Sequence, residues 1–151
     1  MRFIMYTDKT VPQTMRAINE RLHVAGTKSR PQLDGWVEKS GRFAIAVTTT
    51  VHGRFRRKTT LQGQAERDGS VTVIRGNVPD GLPRNQQLWV IGIMILIGLL
   101  ALTQGNAIFA IIAVMVGGAI TIPLQGDFDN SEYLLTELQR ALKAKFTPPK
   151  D

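Results

Sequence analysis

LWVIGIMILIGLLALTQGNAIFAIIAVMVGGAITIPL, residues 88–124, contains no charged side chain and has one polar break, Thr103-Gln104-Gly105-Asn106. Crossing a hydrocarbon core of about 30 Å at about 1.5 Å per residue takes roughly 20 helical residues. Residues 88–102 are apolar or glycine throughout, and residues 107–124 are interrupted only by Thr121 and Pro123. Neutral flanks, Asn85 to Gln87 and the polar turn itself, bring each run to spanning length. We therefore read residues 85–125 as a transmembrane helical hairpin with spans at about 86–103 and 106–124. A soluble-core alternative would need enough other apolar surface to wrap two helices that are hydrophobic all round, more than a chain of 151 residues offers. Because the run is internal and Met1-Arg2-Phe3-Ile4-Met5-Tyr6 has no long apolar region, it is expected to be retained rather than cleaved as a signal peptide.

Charge orients the hairpin. Lysine and arginine predominate in residues 1–87, the tail from Gln125 is close to neutral, and the connecting turn has no charge, within a chain of net charge +7. Basic residues beside spans favour the cytoplasmic side, and Arg84 lies just ahead of the first span. The expectation is an integral membrane protein with two spans and both termini cytoplasmic. Trp89 is the expected interface anchor.

Small residues set how closely the spans pack. With the turn centred between Gln104 and Gly105, Gly92 is predicted to lie opposite Gly117 and Gly98 opposite Ile111. Ala110, Ala113 and Gly117 share a stripe of the second span, a spacing that lets helices approach closely in lipid. The stripe serves contact within the hairpin or with another subunit.

Residues 1–84 read as a soluble, basic α+β domain, bounded by the turn-forming Pro79-Asp80-Gly81 and Pro83. Residues 2–7 look like a strand, and residues 11–24 like a helix capped by Thr10, with Pro12 in its first turn and Gly26 after its end. Val11, Met15, Ile18 and Leu22 share one face of that helix. Strands are expected at 35–39, 42–51, 54–64 and 70–75, where Phe43, Ile45 and Val47 alternate with Ala44, Ala46 and Thr48. The fold class predicted is a helix packed on an antiparallel sheet, plus the apolar hairpin and a C-terminal amphipathic helix.

That last helix is expected over residues 131–145, within a tail of 126–151. Asp129 and Ser131 are its capping signals, and Pro148-Pro149 blocks continuation. Leu134, Leu135, Leu138, Ala141, Leu142 and Phe146 form its apolar stripe, with Glu137, Arg140 and Lys143 off it. Three berths are open to the stripe: the sheet of the first domain, which is preferred, the bilayer surface, or a partner. Docking on the sheet would make the hairpin an insertion within one domain, which costs little closure entropy.

The most distinctive polar motif is Arg54-Phe55-Arg56-Arg57-Lys58. In a strand, Arg54, Arg56 and Lys58 face one way and Phe55, Arg57 and Thr59 the other. The simplest reading of the row is a solvated edge strand whose charges deter aggregation; the functional readings are anionic lipid headgroups and, after them, an acidic partner subunit. Nucleic acid is not expected, because no recognition helix, RNA-binding aromatic motif or zinc spacing accompanies the charge.

Chemistry has little to work with. There is no cysteine, and the only histidines are His23, placed on the first helix, and His52, at a strand end; both are expected to be structural or solvent-exposed. The spans hold no ionisable residue of the kind that marks an ion pathway, and no phosphate loop is present. Asp34, Glu38 and Glu66 have no spacing that implies joint chemistry. No catalytic, cofactor or metal site is therefore expected. The function expected is that of a non-enzymatic accessory, assembly or scaffold subunit of a larger membrane complex, its partners being membrane lipids and other subunits or further copies of itself. The alternative is a membrane-anchored module that binds lipid or senses anionic lipid.

Overall fold

The computed structural model describes residues 1–27, 30–51 and 53–148, so the expectations for His52 and Pro149 lie outside the described residues. The chain runs β1 (Arg2–Thr7), α1 (Val11–Leu22), β2 (Leu33–Val37), β3 (Arg42–Val51), β4 (Phe55–Asp68), β5 (Val71–Asn77), α2 (Arg84–Thr103) and α3 (Ala107–Leu142). Helix α1 starts in a reciprocal cap: Gln13 N donates to Thr10 Oγ1 at 3.4 Å, and Thr10 N donates to Gln13 Oε1 at 2.9 Å. It ends at Leu22, two residues earlier than predicted. His23 is the C-cap residue rather than a helical one, and its Nδ1 lies 2.8 Å from the carbonyl of Asn19.

The five strands form one antiparallel sheet in the order β1-β5-β4-β3-β2. One cross-strand row reads Phe3, Gly76, Gly63, Phe43, Val37. A side chain at Gly76 would lie 2.7 Å from the Phe3 ring and one at Gly63 2.6 Å from the Phe43 ring, so the two aromatics lie over the two glycines. Strand alternation puts Met5, Ile45, Val47, Leu61 and Ile74 on the same face, where they form the core with Ile18 of α1. The fold is thus α+β, an antiparallel sheet with helices on one face and two long apolar helices leaving it.

The predicted break between a second span and a separate C-terminal helix is absent. Helix α3 continues without interruption from Ala107 to Leu142, with Pro123 inside it. Proline removes one backbone donor and crowds the carbonyl four residues back, here Ala119, at a cost of about 3 kcal/mol. Packing of the residues that follow outweighs this, because Leu134, Leu138 and Leu142 are fully buried in the core built on the sheet. Ser131 does not cap a helix. It is buried, and its hydroxyl donates to the carbonyl of Pro79 at 2.8 Å. The helix ends at Lys143, in the left-handed region at φ 51°, and the chain turns onto the free edge of β1 through paired bonds between Tyr6 and Lys145 at 2.8 and 2.9 Å. Phe146 therefore leaves the stripe and is exposed.

Glu137 also departs from its predicted surface position. It is buried and accepts from Arg21 Nε at 2.6 Å, Arg30 Nη2 at 2.7 Å and Arg140 Nη1 at 3.0 Å. Burial opposes its ionisation, but hydrogen bonds from Arg30 and Arg21, together with their charges, outweigh it and hold the carboxyl below the usual carboxylate range. The folded state therefore binds this proton less readily than the unfolded chain. The resulting stabilisation is complete above the ordinary glutamate value of about 4.3 and is lost as pH falls through the lower folded value. Acid titration of the midpoint for urea unfolding should show this loss below about pH 4.3, and a Glu137→Gln variant should lack that limb.

Candidate functional site

The sheet and the apolar hairpin meet at the β3–β4 end of the sheet and the middle of α3. Gly126 makes the meeting close: a Cβ there would stand 2.8 Å from Val51 Cγ2 and 2.9 Å from Arg57 Cβ. One turn of helix carries the polar clamp. The Asp127 carboxylate accepts from Arg57 Nε at 2.9 Å, Arg57 Nη2 at 2.5 Å and Thr59 Oγ1 at 2.8 Å. Asn130 donates to the Arg57 carbonyl at 3.2 Å and to Thr59 Oγ1 at 3.0 Å, and accepts from Thr49 Oγ1 at 2.5 Å. Hydrogen bonding to Asp127, with its charge, raises the Arg57 pKa further above its ordinary value. Arg57 is 42% exposed and Asp127 8%, so water re-solvates the guanidinium when its partner is removed. Asp127→Ala should accordingly cost only about 1–2 kcal/mol, read as a lower unfolding midpoint in detergent.

The clamp sets a direction. Two strand residues from Thr49 to Val51, about 7 Å, match four helical residues from Asn130 to Gly126, about 6 Å. Strand β3 therefore runs along α3 toward its apolar half and ends with Val51 against Gly126, two residues from Leu124, where the apolar stretch ends; Gly53 and Arg54 lie at the tip that follows. At this tip Gly53 has φ 72° and Phe55 is 53% exposed. Arg54 lies in the turn, just before the strand; Arg56 and Lys58 point outward from β4, exposed, opposite Thr50 and Thr48. Among the described residues none of these three cations forms an ion pair.

Helices α2 and α3 pack antiparallel through Gly98, Ala110, Ala113 and Gly117 of the predicted small residues, but with pairings that differ from those predicted. Gly117 faces Met94, with 2.8 Å from a built Cβ to the Met94 side chain, and Gly98 faces Ala110 and Val114. Ala110 and Ala113 are buried. Gly92 is not in the contact, since nothing lies within 4 Å of its missing Cβ, and Ile111 is exposed. Gly117 meets Met94, two residues from the assumed Gly92, whereas Gly98 sits between Ala110 and Val114, on either side of the expected Ile111, so the faces of the two helices and not a uniform shift set the contact. Trp89 stands 75% exposed on the first turns of α2. Both α2 and the first half of α3 are long and apolar enough to cross a membrane, and only 17% and 22% of their most apolar windows are buried.

The chain returns to α2 under similar restraint. Leu82 N donates to the Leu124 carbonyl at 3.2 Å, and Gly81 lies so close to the backbone of Leu124 and Phe128 that a Cβ has no room. Away from the junction, the outer face of the sheet forms an open trough of about 450 Å³ lined by Arg2, Trp36, Arg42, Gln64 and Arg75. Arg75 there pairs with Glu66 at 3.3 Å. Asp34, Glu38 and Glu66 are not brought together: Asp34 is on β2, Glu66 on β4, and Glu38 accepts from Ser40 beyond the end of β2.

Of the junction residues, the sequence reading placed Arg57 and Thr59 on one face but named no partner for them. Asp127 and Asn130 do not stand out in the sequence, because the capping signals of Asp129 and Ser131 point to a helix beginning beside them. Their spacing with Leu134 and Leu138, steps of three and four, was the available signal that they continue one helical face. No protein-family model, curated protein or solved structure matches this chain.

Proposed function

We propose that this chain is a two-pass membrane protein with both termini cytoplasmic, working as a non-enzymatic accessory or scaffold subunit of a larger membrane complex. The observation that carries the reading is the continuity of α3, which serves as second apolar span and as core helix of the sheet domain. A body attached in this way cannot swing on a linker, so whatever packs on the hairpin also fixes the orientation of the sheet. The hairpin leaves most of its apolar surface outward, and Gly92 and Gly118 offer open positions where an outside helix can approach closely. The basic residues flanking α2 support the assigned orientation.

Mild-detergent extraction followed by crosslinking and mass spectrometry tests the role. Recovery of the protein with other membrane subunits is expected. A monodisperse monomer that crosslinks to nothing in native membranes would overturn the scaffold role. Orientation is tested separately by a water-soluble thiol reagent on Thr103→Cys and Gly69→Cys variants, which should be modified from opposite sides of sealed vesicles.

A further inference from the structure

We infer that the β3–β4 tip is an anionic-lipid headgroup site, in which Arg54, Arg56 and Lys58 bind phosphate-bearing headgroups while Phe55 inserts at the boundary with the acyl chains. The inference rests on the membrane reading above and adds to it a ligand class and a place. Three independent observations carry it. Depth is the first: the clamp at Gly126, Asp127 and Asn130 aims β3 and β4 along α3, so that the tip reaches the level at which the apolar stretch of α3 ends. Headgroups occupy that level in a bilayer spanned by residues 107–124.

Chemistry is the second. Arg57, the one basic side chain of the motif that β4 turns toward α3, is engaged by Asp127, whereas Arg56 and Lys58 point outward, Arg54 is exposed in the turn, and none of the three forms an ion pair among the described residues. An acidic soluble partner would find the same cations. Phe55 separates the two sources: a half-exposed aromatic at the tip of a charged hairpin, at interfacial depth, has an apolar phase within reach. The third is rigidity. Thr49, Arg57 and Thr59 are tied to α3 by side-chain bonds, so the tip is held at its depth and little ordering cost remains when a headgroup binds.

The chain has no cysteine, so single thiol labels test this on the intact protein. A fluorophore is placed on Thr50→Cys, an exposed position opposite Arg56, and in a second sample on Leu99→Cys, exposed on α2. Each is reconstituted into phosphatidylcholine vesicles containing equal fractions of headgroup-spin-labelled phosphatidylglycerol or phosphatidylcholine. The Leu99 label should report hydrocarbon. The Thr50 label should be quenched by both lipids, with the anionic one preferred about fivefold or more, as expected of basic residues next to charged headgroups. Raising salt from 0.1 to 1 M, which shortens the screening length from about 10 Å to about 3 Å, should reduce that preference. Replacing Arg54, Arg56 and Lys58 together by Gln should abolish it while leaving the Leu99 signal unchanged. With Leu99 in hydrocarbon, an unquenched Thr50 label would overturn the inference and leave the cations to an acidic protein. Equal quenching by both lipids, or a preference that survives in the Gln variant, would also overturn it. A Leu99 label in water would instead overturn the membrane reading itself.

Discussion

A fragment ending at residue 84 is expected not to fold, although it contains all five strands and α1. Its sheet would lose Leu134, Leu138 and Leu142, each with 2% or less of its surface exposed in the intact chain. At about 1.5–3 kcal/mol per fully buried leucine, the three together contribute roughly 5–9 kcal/mol, comparable with the 5–15 kcal/mol net stability of a typical domain. The same cut removes Glu137 from beside Arg21, which is itself buried. Urea unfolding of the fragment, followed by circular dichroism and by Trp36 fluorescence, should show no cooperative transition, and a hydrophobic dye should bind. Adding a peptide of residues 126–148 in trans should restore a transition, because it supplies the missing face without the hairpin. A cooperative transition in the fragment alone would mean that the sheet and α1 are self-sufficient and that α3 is an addition to a finished domain.

Glu137→Gln should destabilise the intact protein by about 3–5 kcal/mol, the cost of leaving a buried charge without its partner. The charge at issue is that of Arg21, since Arg30 and Arg140 are 40% and 66% exposed and water can re-solvate them. Among the described residues Arg21 Nη1 lacks a hydrogen-bond partner and Nη2 donates only to neutral acceptors, the Pro31 carbonyl at 3.3 Å and the Tyr133 hydroxyl at 3.2 Å, so no second carboxylate compensates the charge. A double variant, Arg21→Met with Glu137→Leu, removes both charges and keeps apolar volume in the same place. It should be near neutral or more stable than the parent, because desolvation of the ions disappears along with their attraction. Chemical denaturation of the three proteins in one detergent would measure this. A single variant that matches the parent would show that the pair contributes nothing beyond its volume.

Much of the architecture was legible in the sequence, and for identifiable reasons. Thr10, Pro12 and the spacing of Met15 and Ile18 announce α1, because capping and helical periodicity are local properties. Alternation through Phe43, Ile45 and Val47 announces β3 in the same way. The C-terminal half of α3 was the main departure. Pro123, Gly126, Asp129 and Ser131 all carry local signals for ending one helix and starting another, and those signals are physically sound. They lose to packing: Gly126 gives the closeness α3 needs against Val51, and Ser131 serves the linker at Pro79 instead of a cap.

Glu137 illustrates the same limit from the polar side. An acidic residue next to a leucine stripe reads as solvated, and the approach of Arg21 on α1 and Arg30 after it, more than a hundred positions away, makes its burial tolerable. The small residues of the hairpin show it within the apolar helices, since the partner each one meets depends on how the faces of α2 and α3 pack.

By itself the sequence determined what depends on neighbours along the chain: two apolar runs with a polar turn, a basic first half, the strand phase that sends Arg56 and Lys58 one way and Arg57 the other, and the helix that begins at Thr10. Tertiary structure decided what depends on contacts between distant segments: that residues 107–142 form one helix, that Asp127 holds Arg57 while its basic neighbours form no ion pair among the described residues, and that the end of β3 lies against Gly126, two residues from the end of the apolar stretch. Local preferences are worth tenths to about three kcal/mol per residue, and burial of a helix face against a sheet outweighs them once summed over a few leucines.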